Sequence, residues 1–337
     1  MAINFKEVIT DFCALHNGYV LRDGFVFTAV THPANVFDAI VIKFPKNVEC
    51  FSPYMIGSEH SLTEQIEFIN QHKIEKALII SESIDFITRC PTLKHLYIIP
   101  ADSTGNGFDY SPVYKMPQIK SVSASTIYGL KEEYFTHLDC SRIVGLESVS
   151  VTNSYYHNYA DIKTLKDLGL SHYKENDLSN AFCSVVLDTL VVIQSKIKTL
   201  NGIQKSPRMQ CLYLYHNRNL EDISALYKVK KTLKALSIEN CSKVNDFSVL
   251  GELENLEFLM LCGSNELPNL SFINKMKSLK TFVFDMNVKD GDLSPCIALS
   301  YVSSSKDRRH YNFKNKDLPK GEYVRGNENI ELWRRFL

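Results

Sequence analysis

The chain has 337 residues, with 38 Lys and Arg against 38 Asp and Glu, so no net field would steer it toward nucleic acid or an anionic membrane. Hydrophobic residues make up 45% and charged residues 23%, which supplies a buried core and argues against wholesale disorder. The nine cysteines are odd in number and contain no CxxC pair, so they read as reduced thiols packed in a core.

At the N-terminal end, "MAINFKEVITDFCALHNGYV" lacks a basic segment followed by an apolar run, so it does not read as a signal peptide. No apolar stretch is long enough to span a bilayer, and a soluble cytoplasmic protein is expected. Residues 1 to 73 read as an α/β cap. It comprises an amphipathic helix in "FKEVITDFCALH", strands around "YVLRDGFVFTAV" and "FDAIVIKF", and a second helix in "SLTEQIEFINQH". Ser61 and Glu64 of that helix have capping-box spacing.

From residue 74 the pattern changes. An apolar residue is followed by another three later and another five later, starting at Ile74, Leu93, Ile119, Leu146 and Leu165. The pattern becomes regular at Leu187, Met209, Leu233, Leu256 and Leu279, at intervals of 22, 24, 23 and 23 residues. In L-x-x-L-x-L the last two apolar residues lie two apart and point to one face of a short strand. A single unit cannot bury that face alone, so units stack and pair their backbones around a continuous apolar core. The second halves also recur, as "NLEDISALYKV", "KVNDFSVLGEL" and "ELPNLSFINKM". Their apolar residues, such as Leu220, Ile223, Leu226 and Val229, fall every third position, which predicts a 3₁₀-like return. A final strand from Leu299 closes the array at residue 305.

These units resemble leucine-rich repeats of the short class seen in internalins and in phosphatase-regulating SDS22-like proteins. The resemblance covers 74 to 305. It implies an α/β repeat solenoid, a horseshoe with a parallel concave β-sheet, short 3₁₀ or helical returns and caps at both ends. This chain departs from the pattern in two ways: several units carry an extra residue after the strand, and the usual Asn appears only in places, such as Asn217 and Asn287. Residues 306 to 337 lose the repeat and carry nine basic against five acidic residues, reading as a basic cap with Trp333 plugging exposed core. An acidic protein partner is the sharper reading of that charge.

No phosphate-loop, dinucleotide, nucleophile-elbow or zincin motif occurs, so no cofactor or catalytic residue is assigned. His172 and His216 occupy the same repeat position two strands apart, at roughly 10 Å, too far to share a zinc ion. His310 and Tyr311 read as cap residues, and Cys262 would be a candidate thiol if it faced outward.

With the leucines inward, the alternate strand positions form the open face. It runs from hydroxyl-rich early strands (Ser121, Ser123, Ser125, Ser148, Ser150, Thr152) to an aromatic and apolar later part. The expected partner-binding residues are Val191, Ile193, Tyr213, Tyr215, His216, Glu239, Phe258, Met260 and Asp285. Large rigid side chains of this kind make protein hot spots, and such a patch left exposed usually has a purpose. The expected function is a noncatalytic module that binds a protein on its concave face, of immunity or antitoxin type. The alternatives are a regulatory scaffold and an enzyme with a site in the N-terminal region.

Overall fold

The computed structural model describes residues 19–22, 25–28, 39–43, 62–81, 83–100, 108–124, 137–152 and 156–324. The first helix expected from the sequence, Ser61, Ser125 and Trp333 lie outside the described residues. The chain divides into two compact units, Met1–Tyr159 and Ala160–Leu337.

In the first unit, β1 (Tyr19–Arg22) and β2 (Phe25–Thr28) form an antiparallel hairpin. Strand β3 (Ala39–Lys43) is followed by helix α1 (Leu62–Gln71), which buries Ile66 and Ile69. The helix ends where Lys73 turns left-handed at φ 51° and the Ile74 N–H bonds back to the Ile69 carbonyl at 3.0 Å. Next come β4 (Lys76–Ser81), β5 (His95–Pro100), the short helix α2 (Ser111–Tyr114), β6 (Ser121–Ala124), β7 (Leu138–Asp139), β8 (Ser148–Thr152) and β9 (Tyr156–His157). Strands β3, β4, β5, β6 and β8 pair in parallel. The strand expected in "FDAIVIKF" is therefore the outer member of the ladder, not an element apart from it. Register aligns Ala77, Leu96, Val122 and Val149 in one buried row, as the apolar spacing requires.

The second unit carries β10 (Asp167–Ser171), β11 (Thr189–Ile193), β12 (Cys211–Tyr215), β13 (Ala235–Glu239), β14 (Phe258–Cys262), β15 (Glu266–Leu267), β16 (Thr281–Phe284), β17 (Asn287–Val288) and β18 (Tyr301–Ser304). Seven of these, β10, β11, β12, β13, β14, β16 and β18, pair in parallel without a register slip. One row reads Leu168, Leu190, Leu212, Leu236, Leu259, Phe282 and Val302, all fully buried. Each such side chain contributes about 1.5–3 kcal/mol by leaving water.

The returns are 3₁₀ turns, including Ser224–Val229, Ser248–Glu252 and Ser271–Lys275. Their three-residue pitch buries Ile223, Leu226 and Val229 in one unit and Phe247, Leu250 and Leu253 in the next. These three, and the Ser294–Cys296 turn, are each started by an Asp or Asn two residues ahead of a serine. Asp222, Asp246, Asn269 and Asp292 accept the N–H groups of Ser224, Ser248, Ser271 and Ser294 at 2.7 to 2.9 Å. This bond holds the Asp246 carboxyl below the ordinary 3.8, and the bonds from Ser294 and Asn312 do the same for Asp292. A depressed folded pKa gives stability that is present above 3.8 and lost as pH falls through the folded value. An Asp246→Asn, Asp292→Asn variant keeps the acceptors, as Asn269 does, but cannot titrate. Its melting temperature is expected to fall less than the wild type's between pH 6 and pH 3, a window flanking the ordinary carboxyl value; parallel profiles would refute the assignment.

Strand exits share a second device. His172, Gln194, His216 and Asn240 all have φ between 46° and 55°, and their N–H groups bond to the carbonyls of Ile193, Tyr215, Glu239 and Cys262 on the next strand. The left-handed turn bends the chain out of the sheet without breaking the ladder. His172 and His216 are backbone turn positions.

The last strand, β18, is closed by the chain that follows. The Val302 N–H bonds to the Pro319 carbonyl at 2.9 Å and the Ser304 N–H to Asn315 Oδ1 at 2.9 Å. Tyr311 is buried, its hydroxyl accepting the Val288 N–H at 3.0 Å and donating to the Met286 carbonyl at 3.2 Å. Asn312 Oδ1 takes the Leu293 N–H at 2.8 Å. His310 Nε2 likewise lies 2.9 Å from the Val288 carbonyl, so both residues are tied to β17.

Candidate functional site

The face opposite the leucine rows of the second unit is set by strand parity. Register places Val191, Tyr213, Ser237, Met260 and Val283 side by side, and Ile193, Tyr215, Glu239 and Cys262 in the next row. Of the expected residues, Val191, Ile193, Tyr213, Phe258 and Met260 join Cys211 and Ala235 in one apolar cluster, with Tyr215 packed against it. The Tyr213 and Tyr215 rings stack at 5.9 Å between centroids, and the Tyr215 ring meets the His216 ring edge-on at 4.3 Å.

The expectation that this patch lies open is corrected by the burial. Tyr213 is 1% exposed, Phe258 5% and Met260 7%, and Val191, Ile193 and Glu239 are also buried. Tyr215, His216, Cys262, Val283 and Asp285 are half-buried and form the accessible part of the site. Glu239 accepts the Ser237 hydroxyl at 2.9 Å. Asp285 stands at the rim, where its Oδ1 takes the Gly263 N–H at 2.6 Å and its Oδ2 lies 3.4 Å from Lys306 Nζ.

Three participants escaped the sequence reading. Cys211 and Ala235 open their strands on this face, and strand parity alone would have found them. Tyr323 comes from beyond the repeat, and its ring packs edge-on against Phe258 at 6.2 Å and against Tyr301 at 4.9 Å. No periodicity marks it.

In the first unit, Ser121, Ser123, Ser148 and Ser150 are half-buried, and His95 Nδ1 lies 3.0 Å from the Ser121 hydroxyl. The side chains of Tyr97, Ile99 and Thr152 lie outside the described residues.

Behind the sheet, the position eight or nine residues into each unit forms a buried polar ladder. Ser195 Oγ accepts the Tyr173 N–H at 3.0 Å, and Asn217 joins the Ser195 N–H (2.9 Å) to the Val192 carbonyl (2.7 Å). Asn265 Nδ2 donates to the Cys241 and Val244 carbonyls at 3.1 and 2.7 Å. Asn287, expected in this role in the following unit, instead donates to Glu266 Oε1 on the surface. Cys241 sits on the ladder between them, and burial pushes its thiol up to about 11. Burial likewise pushes Cys140 and Cys296 up to about 12, which keeps these groups protonated and inert as nucleophiles.

Among the described residues there is no group of three or more His, Cys, Asp or Glu placed to hold a metal ion, and no helix is long and apolar enough to cross a membrane.

No protein-family model and no curated protein matches the sequence. Among solved structures the chain is similar to an internalin, InlF, of Listeria monocytogenes, at 18% identity over 71% of this chain and 74% of that one, with a TM-score of 0.45. It is also similar to the functional domain of InlJ from the same species (14% identity, 63% and 58% covered, TM-score 0.37). A third likeness is to a leucine-rich-repeat protein of Leptospira interrogans (12% identity, 66% and 75% covered, TM-score 0.33). The in-register leucine rows, the left-handed strand exits, the Asn ladder and the 3₁₀ returns are this chain's own, and together they make its fold that of a leucine-rich-repeat protein.

Proposed function

We propose that the chain is a noncatalytic module that holds a protein partner against the open face of its sheet, acting in the cytoplasm as an immunity-type inhibitor. The observation that carries the reading is the sidedness of β11 to β14. Their leucines already fill the core behind the sheet, and yet the opposite face gathers a second apolar and aromatic cluster that the repeat does not require. The partner would meet Tyr215, His216 and Asp285 at the rim and Val191, Ile193, Tyr213, Glu239, Phe258 and Met260 in the floor.

Tyr215 is the residue to test, because it is half-buried and its loss would not open the core. Affinity capture from source-cell lysate with the wild-type chain and with Tyr215→Glu is expected to retain a stoichiometric protein in the first case only. A loss of about 2 kcal/mol or more is the size typical of a hot-spot aromatic. Equal capture by a Tyr215→Glu chain with an unchanged melting temperature would sink the reading. Inhibition of the captured protein's own toxicity by the wild-type chain, lost with Tyr215→Glu, would identify the immunity role.

A further inference from the structure

Charged residues flanking the strands stand in columns, one residue per strand, and neighbours in a column are mostly of opposite sign. At the strand entries of the first unit, Lys94 pairs with Glu75 and Lys120 with Glu147. At those of the second unit, Lys280 pairs with Glu257 at 2.6 Å. The exit side of the second unit follows the same rule in its later strands. There Lys243 meets Glu221 at 3.1 Å, Lys289 meets Glu266 at 2.9 Å and Lys306 meets Asp285 at 3.4 Å.

Three successive positions break the rule. Lys174, Lys196 and Arg218 each stand three residues beyond β10, β11 and β12, which are neighbours in the sheet. All three are exposed, and among the described residues their side chains make no hydrogen bond or ion pair. Nearby acids do not answer them: Glu221 is held by Lys243, and Glu175, beside Lys174, makes no ion pair among the described residues. After β13 the same place is taken by Ser242, which ends the column. Strands follow one another at about 4.8 Å, a spacing at which like charges repel. A stack that had only to fold would be more stable with these signs alternating, as they do elsewhere along it.

We infer that Lys174, Lys196 and Arg218 form a cationic ladder that receives an acidic helix of a protein partner. Carboxylates four residues apart on a helix stand about 5–6 Å from one another, which matches the rise from one strand to the next. Although the whole chain is neutral, residues 160–243 carry 13 Lys and Arg against 8 Asp and Glu, so the attraction is local to these strands. Three cations on a neutral chain are too few for nucleic acid, whose binding draws on many phosphates. Arg218 also leaves the same strand as Tyr215 and His216, so the ladder continues the rim already described. That the partner is a protein rests on the function proposed above. The affinity of the ladder for evenly spaced carboxylates does not.

The probe is a fluorescein-labelled, alanine-based helical peptide with Glu at every fourth position, its binding read by anisotropy at low salt. A Lys174→Gln, Lys196→Gln, Arg218→Gln chain is expected to bind it about tenfold more weakly, the scale of three exposed charge pairs. Its melting temperature should not fall, since only a repulsion is removed. A Lys94→Gln, Lys120→Gln, Lys280→Gln chain loses the same charge from paired positions and is expected to bind as the wild type does. No binding by the wild type, equal binding by the ladder variant, or an equal loss in both variants overturns the proposal. Tighter binding of oligodeoxythymidine, lost with the ladder variant, also overturns it and assigns the ladder to nucleic acid. Because the peptide replaces the natural partner, this measurement and the capture with Tyr215→Glu fail separately.

Discussion

Replacing Asn217 by alanine is expected to destabilise the second unit by about 2–5 kcal/mol, far more than the loss of an ordinary polar side chain. Asn217 is fully buried, and its amide serves both polarities at once. Its oxygen takes the Ser195 N–H, and its nitrogen gives to the Val192 carbonyl. The Ser195 N–H lies beyond the end of β11, where the sheet ladder cannot serve it, whereas the Val192 carbonyl lies within the strand and gains the amide as a further donor. Alanine strands the Ser195 N–H in an apolar interior, at about 1–3 kcal/mol, removes a second donor from the Val192 carbonyl and leaves a cavity where the amide was. Asn217→Asp is expected to fare no better, since a carboxylate offers no proton to the Val192 carbonyl. Ser195→Ala strands only the Tyr173 N–H and should cost less. Urea unfolding of the three variants gives the ranking. A loss below about 1 kcal/mol for Asn217→Ala would mean that water enters and replaces the amide.

That residue also shows why some of the fold could be read from the sequence and some could not. The inward rows were legible because a strand that buries one face must repeat every second residue, and Leu212 with Leu214 or Leu259 with Leu261 can satisfy nothing else at that spacing. The 3₁₀ returns were legible for the same reason, since Leu220, Ile223, Leu226 and Val229 repeat every third residue. The ladder position is less legible: Ser195, Asn217 and Cys241 stand two residues beyond their strands, whereas Asn265 stands three beyond β14, an offset that a fixed spacing passes over.

The open face was legible in membership but not in exposure. Parity places Tyr213, Phe258 and Met260 together whether or not anything lies over them, because the same residue types suit an exposed hot spot and a buried floor. What lies over them depends on contacts between segments far apart in sequence. Tyr323 reaches Phe258 from 65 positions away, and no local pattern encodes such a contact.

The second large effect is expected at Gly202, where alanine should lower the stability of the unit by about 3 kcal/mol or more, the range reached when a substitution strains both conformation and packing. Gly202 has φ +102°, where a Cβ is disfavoured in its own right. A Cβ built there would also stand 2.4 Å from the Leu178 carbonyl carbon and 2.5 Å from the Ser179 nitrogen. Those atoms are backbone of the preceding unit and cannot swing aside as a side chain would. The Leu178 N–H is itself held by the Asn201 carbonyl at 2.8 Å, so relieving the clash breaks a bond between successive units. The constraint belongs to this unit alone. Aligned on the buried residues of the return, the corresponding positions are Ala225, Val249, Phe272 and Pro295, so the repeat as such does not demand glycine. Ala225→Gly is accordingly the control, with an expected cost of under about 1 kcal/mol from chain entropy. For a unit of this size about 3 kcal/mol lowers the melting temperature by roughly 10 °C. A Gly202→Ala chain that melts within about 2 °C of the wild type would show that the 178–179 backbone yields, and that the two units are joined less rigidly than the hydrogen bond between them implies.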